Sequence, residues 1–372
     1  MLLLIGQVNI PAQNNDFDRR VAEGIDQIYS IKFEDAEHTF RSLMADYPKH
    51  PAGRFFLAMI DWWKILLDLD NESHDDIFFA KLEDVIFQCD EILDKEPANV
   101  DALFFKGGAI GFRGRLRAIR ESWLKAADDG REALPIVHSA YKINPGNVDI
   151  QLGFGIYNYY ASVIPDRYPF IKPVMVFFPK GEKEKGIAQL ANVAANGKYA
   201  RYESQYFLMT LYYQFEENYY KALEYANMLT GRFPDNPVFE RYKGRILVKS
   251  GRFPEGYEVF RDVYDKCAAG RRGYDKNARR ESSYYVAFQH KIGGRIDSAM
   301  VYFKECENIS RQIDKDEESG FRINSVLYMG MLADQKGERV QALQYYRQLL
   351  DMRKYGDSQV LAKRYIEKPY GK

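Results

Sequence analysis

Four times along this chain an apolar residue is followed five positions later by a proline: Leu43 and Pro48, Ile92 and Pro97, Ala140 and Pro145, Leu229 and Pro234. Proline lacks the backbone N–H and its ring clashes with the preceding turn, so it ends a helix rather than continuing it. Each pair therefore marks a helix C-terminus at one repeated register. Two residues after three of these prolines stands an asparagine, Asn99, Asn147 or Asn236, placed to cap the next helix. A chain punctuated in this way is a succession of helices. The 46% hydrophobic content and 28 tyrosines exclude a disordered chain and supply aromatic knobs between helix layers.

The stretch 203–236, ESQYFLMTLYYQFEENYYKALEYANMLTGRFPDN, contains one complete unit. Tyr206, Met209, Thr210 and Tyr213 fall at i, i+3, i+4 and i+7, one stripe of a helix. After the polar turn Glu216-Glu217-Asn218, a second stripe holds Ala222, Leu223, Ala226 and Leu229. The methyl side chains of Ala222 and Ala226 let two helix backbones come close. Two helices of about 14 residues cannot bury both faces alone, so the unit must stack on copies of itself.

These residues resemble the tetratricopeptide repeat pattern, with Met209 at position 7, Thr210 at 8, Ala222 at 20, Ala226 at 24 and Pro234 at 32. An earlier copy places Gly24, Ala36, Phe40, Leu43 and Pro48 at positions 8, 20, 24, 27 and 32. The resemblance implies an all-α, right-handed α-solenoid of about eight helical pairs that binds a protein or peptide on its concave face. A narrower likeness covers residues 148–198. There Gly153, Gly155, Ser162, Pro165, Gly186 and Leu190 are similar to a stretch of the family that includes tetratricopeptide repeat protein 39 and the yeast inclusion-body-clearance protein. It implies a non-enzymatic adaptor.

In chain order, the array is expected to run without a break over 14–357, with Asp16 or Asp18 capping its first helix. The units over 51–147 are elongated, the third reading as helices over 100–123 and 130–144. Prolines 165, 169, 173 and 179 forbid a continuous helix over 165–180, yet this insertion is rich in apolar residues, including Phe170, Phe177 and Phe178. It must lie against the array, line its groove or meet something outside. Residues 358–372 form a short polar helix and tail that cap the C-terminal end. Residues 1–13 leave two readings open. One is the remnant of an export signal with Ala12 at the cleavage point, which places the protein in the periplasm and is preferred. The other is an apolar cap on the first repeat.

Candidate binding residues come from the expected groove. Arg113, Arg117 and Arg120 share a helix face and suit a carboxylate or phosphate, unless nearby acids such as Asp128 and Asp129 pair with them. Tyr157 and Tyr160 stand on the glycine-rich helix before the insertion. Arg241 and Arg245 occupy positions 5 and 9 of their unit, where some family members hold a peptide carboxylate with Lys and Asn. The neighbouring units have Phe207 and Leu211, then Tyr284 and Phe288, so that clamp is not expected. The glycines of KGGAIGFRGRLRAIR lack the strand and Gly-Lys-Ser/Thr ending of a phosphate loop and suit close helix packing instead. A basic stretch over 266–280 reads as a solvated loop.

Lys plus Arg equals Asp plus Glu at 53 each, so no overall field gathers nucleic acid. His38, His50, His74, His138 and His290 never take metal-ligand spacing, and Cys89, Cys267 and Cys306 are far apart. No catalytic residue, metal or cofactor is expected. The partner class is a protein or peptide, with a lipid or membrane surface meeting Phe170, Phe177 and Phe178 as the alternative. If the helix-pair register is right, Ala222→Leu should overpack the pair and lower stability by about 1–3 kcal/mol in thermal melts.

Overall fold

The computed structural model describes residues 10–176 and 178–371, with side-chain packing from residue 16 onward except at Val174 and Met175. The chain divides into two compact units, Met1–Phe215 and Glu216–Lys372. The first holds α1 (Ile10–Tyr29), α2 (Phe33–Asp46), α3 (Ala52–Leu67), α4 (Asp75–Leu93), α5 (Val100–Ile119) and α6 (Trp123–Ile143). It continues with α7 (Gln151–Arg167), the single turn α8 (Lys172–Met175), α9 (Lys183–Asn196) and α10 (Arg201–Gln214). The second holds α11 (Tyr219–Arg232), α12 (Pro237–Lys249), α13 (Phe253–Ala268), α14 (Lys276–Ile292) and α15 (Ile296–Ile313). It ends with α16 (Gly320–Gln335), α17 (Arg339–Leu350) and α18 (Ser358–Glu367), which packs on α16 and α17. Every regular element among the described residues is helical, and the fold is an all-α array of helical pairs closed by α18.

The repeated punctuation has a repeated geometry. The carbonyls of Leu43, Ala140 and Leu229 accept the N–H of the residue just before the motif proline, and Ile92 does the same for Glu96 at 2.8 Å. The side chains of Asn99, Asn147 and Asn236 then accept from backbone N–H groups of the next helix, at 3.0 Å from Ala102, 3.1 Å from Asp149 and 3.0 Å from Val238.

Within a pair, a residue without a side chain faces a ring. A Cβ on Gly24 would lie 2.3 Å from Phe40, on Gly244 2.6 Å from Phe260, and on Gly330 2.5 Å from Tyr346. These are positions 8 and 24 of the tetratricopeptide register, and all three rings are fully buried. A close approach also explains Gly155 and Gly186, where added Cβ atoms would meet Leu190 at 2.7 Å and the Tyr159 nitrogen at 2.7 Å.

Several expectations need correction. Asp16 and Asp18 lie inside α1 rather than capping it, because the helix starts at Ile10 and Pro11 sits in the first turn, where no N–H is needed. Asp16 instead pairs with Arg19 at 2.6 Å and Asp18 with Lys198 at 2.6 Å. Ala12 falls within α1, while residues 1–9 of the expected leader lie outside the described residues. The third pair turns at Arg120–Ser122, not later, with Glu121 in the left-handed region at φ 56°. Trp123 then begins a helix that runs through Pro135. α7 likewise runs through Pro165 and stops at Arg167.

Past Tyr168 the chain folds back in the short turns over Pro169–Ile171 and α8. Phe170 is exposed and touches the rings of Trp123 and Tyr168 at 6.2 and 6.1 Å. Phe178 is half-buried, Ile171 is buried, and Phe177 lies outside the described residues. Among the described residues no helix is long and apolar enough to cross a membrane.

Tyr346 cannot retreat from Gly330, since its hydroxyl donates to Asp334 at 2.9 Å and its ring is fully buried. Gly330→Ala should therefore lower stability by about 1–3 kcal/mol. An unchanged denaturation midpoint would show that the ring has room to move.

Candidate functional site

In the first unit, Arg113 and Arg117 of α5 and Arg120 at its C-cap direct their donors to the chain's own carboxylates. Arg113 donates from Nε to Asp129 at 2.9 Å, from Nη1 to Glu83 at 2.7 Å and from Nη2 to Glu132 at 2.8 Å. Arg117 donates to both oxygens of Asp129 at 2.6 and 2.7 Å. Arg120 holds Asp75 at 2.6 and 3.0 Å and the Leu69 carbonyl at 2.5 Å. Asp129 reaches them because Gly114 admits α6: a Cβ there would stand 3.0 Å from the Asp129 Cβ. Burial holds the Asp129 carboxyl above its ordinary range, against the opposing pull of the Arg113 and Arg117 guanidiniums. The geometry is that of acid-paired cations, not of an anion site awaiting a ligand.

The arginine between them, Arg115, has a different role. Its guanidinium pairs with Glu203 of α10 and lies 4.7 Å from the Trp62 ring and 4.4 Å from the Phe207 ring. Tyr29 of α1 donates to the same carboxylate at 3.1 Å. Around this centre α10 meets each first helix of the unit in turn. Tyr202 touches Tyr29 on α1 at 5.3 Å, Tyr206 touches Trp63 on α3 at 5.8 Å, and Phe207 touches Tyr160 on α7 at 5.7 Å. Just before α10, Tyr199 lies 6.1 Å from Phe105 and 6.2 Å from Phe56, and Asp149 accepts from the backbone N–H groups of Lys198, Tyr199 and Ala200.

The face formed by α1, α3, α5 and α7 is thus occupied by α10 and the turn before it. The stripe read for α10 is consequently too narrow, since Phe207, Leu208 and Leu211 are buried as well. Of the other candidates here, Tyr157 donates to the Pro179 carbonyl at 2.5 Å and ties down the insertion. Tyr160 packs on Phe207 and Phe215, both at 5.7 Å.

In the second unit α12 touches α14, and α14 touches α16, so these first helices share a face. Glu281 of α14 is fully buried and receives Arg241 Nε at 2.6 Å together with Arg245 Nε and, at 2.6 Å, Arg245 Nη2. Burial by itself would raise the Glu281 carboxyl; the Arg245 and Arg241 charges override it and hold it at about 2.

Further along α14, Tyr284, Phe288 and Lys291 follow on the same side, at intervals of three, seven and ten residues from Glu281. Their rings join Tyr328 of α16: Phe288 stands 5.8 Å from it and Phe303 packs behind at 5.3 Å. The Lys291 ammonium lies 5.0 Å from the Tyr328 ring and 5.8 Å from the Tyr370 ring. Among the described residues it has no carboxylate partner, and burial lowers its pKa. Tyr370 is fixed by its own N–H on Asp334 at 2.9 Å.

The sequence had pointed to Arg241 and Arg245 but missed Lys291, Tyr328 and Tyr370. A signal for the first was present, since Tyr284, Phe288 and Lys291 keep i, i+4, i+7 spacing. The tail residue gave none.

Within the basic stretch over 266–280, Arg271 and Arg272 do lie in an exposed loop between α13 and α14, but the flanking cations belong to helices and are paired. Lys266 binds Glu240 at 2.6 Å, Arg279 binds Glu305 at 2.6 Å and Arg280 binds Asp314 at 2.9 Å, the last two from within α14. Burial pushes the thiols of Cys89, Cys267 and Cys306 up to about 12.

No family model and no curated protein matches the chain. Among solved structures it is similar to yeast Tom70, with a TM-score of 0.41 and 11% identity over 94% of this chain and 80% of that one. It is also similar to a tetratricopeptide repeat protein from Parabacteroides merdae, with a TM-score of 0.38 and 14% identity over 82% and 98% of the two chains. A third likeness is to the human IFIT1 dimer with PPP-AAAA, with a TM-score of 0.39 and 11% identity over 86% and 68%.

The depressed pKa of Glu281 carries a sign. Its ionised form favours the folded state above the ordinary value of 4.5, and that contribution is lost as pH falls toward 2. About 3 kcal/mol should disappear across this window. Glu281→Gln should lack that part of the acid dependence, and it should cost about 3–5 kcal/mol at neutral pH by leaving two guanidiniums without their carboxylate. Urea titrations of both proteins between pH 7 and 2 read out both effects.

Proposed function

Taking the helical pairs as tetratricopeptide repeats, we propose that this protein is a non-enzymatic interaction scaffold that binds a protein partner through a peptide segment. The peptide lies on the face of α12, α14 and α16 in the second unit. The observation that carries this reading is the contrast between the two first-helix faces. In the first unit that face holds the chain's own α10, so its rings and its Arg115 already have internal partners.

In the second unit the same face presents Tyr284, Phe288 and Tyr328 half-buried, with a cation at each end. Aromatic residues and arginine at the centre of a surface are the groups that dominate binding energy at interfaces, because they bury much area at low entropic cost. Helical arrays present such surfaces without any moving part, so a bound segment loses its own freedom but the scaffold loses little.

Selection of a random peptide display library on the full chain tests the reading. Enriched peptides should bind at least about 10-fold more weakly to Phe288→Ala, the loss typical of an interface anchor. They should be indifferent to Tyr220→Ala, on an exposed side of α11. Failure to enrich any peptide, or equal binding to both variants, would rule the face out.

A further inference from the structure

Resting on the reading that a peptide lies on this face, we infer that the ligand is an acidic peptide with two carboxylate side chains at i and i+4 and an apolar residue at i+2. One carboxylate meets Arg241 and the other Lys291. Arg241 uses only its Nε on Glu281, and its two amino groups have no partner among the described residues. Its side chain is 14% exposed. A guanidinium with two free parallel donors matches a carboxylate bidentately.

At the other end the Lys291 ammonium is held against two tyrosine rings with no acid beside it, a position in which a carboxylate would restore what burial takes away. Asp334, the carboxylate on α16 that binds Tyr370, is fully engaged with Arg339 at 2.9 Å and Tyr346 at 2.9 Å as well. The face therefore sets Arg241, Arg245 and Lys291 against Glu281 alone, an excess of positive charge in a chain that is neutral overall.

The spacing follows from helix geometry. Glu281, which fixes Arg241, and Lys291 stand ten residues apart on α14, about 15 Å along the axis at 1.5 Å per residue. An extended peptide covers that distance in about four to five residues at 3.3 Å each. Side chains of an extended segment alternate, so i, i+2 and i+4 face the scaffold together and an odd spacing would turn one acid away. Tyr284, Phe288 and Tyr328 lie between the two cations and offer an apolar floor for the residue at i+2.

Fluorescence anisotropy on the full chain tests this with labelled peptides carrying Glu-Ser-Leu-Ser-Glu, its Gln-Ser-Leu-Ser-Gln counterpart and Glu-Leu-Glu. The i, i+4 diacid should bind at least about 10-fold more tightly than the other two, as expected for charge-assisted hydrogen bonds. Arg241→Gln and Lys291→Gln should each remove most of that advantage, and 0.5 M salt, roughly enough to shrink the screening length to a few Å, should do the same. Equal binding of diacid and neutral peptides, both lost in Phe288→Ala, would overturn the acidic spacing while leaving the face as the binding site. Absence of diacid binding, or binding unchanged in both charge variants, would overturn it too. The display selection then decides separately whether the face binds any peptide.

Discussion

The structure depends on a steric constraint that recurs in three of its helical pairs: one helix gives up a side chain where the other inserts a ring. Gly24 under Phe40, Gly244 under Phe260 and Gly330 under Tyr346 are the same contact made three times. A methyl group on any of these glycines would occupy space the ring already fills, and packed interiors have no slack to absorb it. Because the contact sets how closely two helices lie, it also sets where the remaining faces of those helices point. The side chains of the neighbouring first helices, from which both first-helix faces are built, are aimed by it.

Charge then differentiates one unit from the other. In the first, Glu203 brings a carboxylate from α10 to Arg115, and Tyr29 satisfies its second oxygen. Burying a charged pair is favourable only when further hydrogen bonds and good geometry offset the lost hydration. Here the rings of Trp62 and Phe207 on either side of the guanidinium supply a cation–π contribution. The pair commits α10 to the first-helix face of its own unit. In the second unit the buried carboxylate, Glu281, comes from a first helix itself and binds arginines of its neighbour. The charge pairing there joins two helices side by side. Lys291 and the rings next to it keep their outward side.

Much of this was legible in the residues. The apolar-to-proline interval of five marked the last turns of α2, α4, α6 and α11, and the asparagines that follow are caps in the structure. Such features are local, governed by the loss of one N–H or the gain of one acceptor, so a short window of sequence contains the whole cause. Prolines 135 and 165 mark the limit of that logic. Each lies inside a helix, where the turns on either side hold the backbone in place despite the missing donor. Arg113, Arg117 and Arg120 were correctly placed on one face, but their partners Asp75 and Glu83 come from α4, a helix away.

By itself, then, the sequence determined that the described residues are all-α, where α2, α4, α6 and α11 end and which asparagines cap the helices that follow three of them. Periodicity and capping depend on neighbours within about one or two helical turns, and those neighbours are written next to each other. Tertiary structure alone decided that α10 turns inward across α1, α3, α5 and α7, that Glu203 belongs to Arg115, and that Tyr370 comes to rest beside Lys291. The contact between Tyr29 and Glu203 joins residues 174 positions apart. No local pattern encodes such a meeting, because it is selected by the combined burial of many side chains along several helices and not by the preference of any one segment.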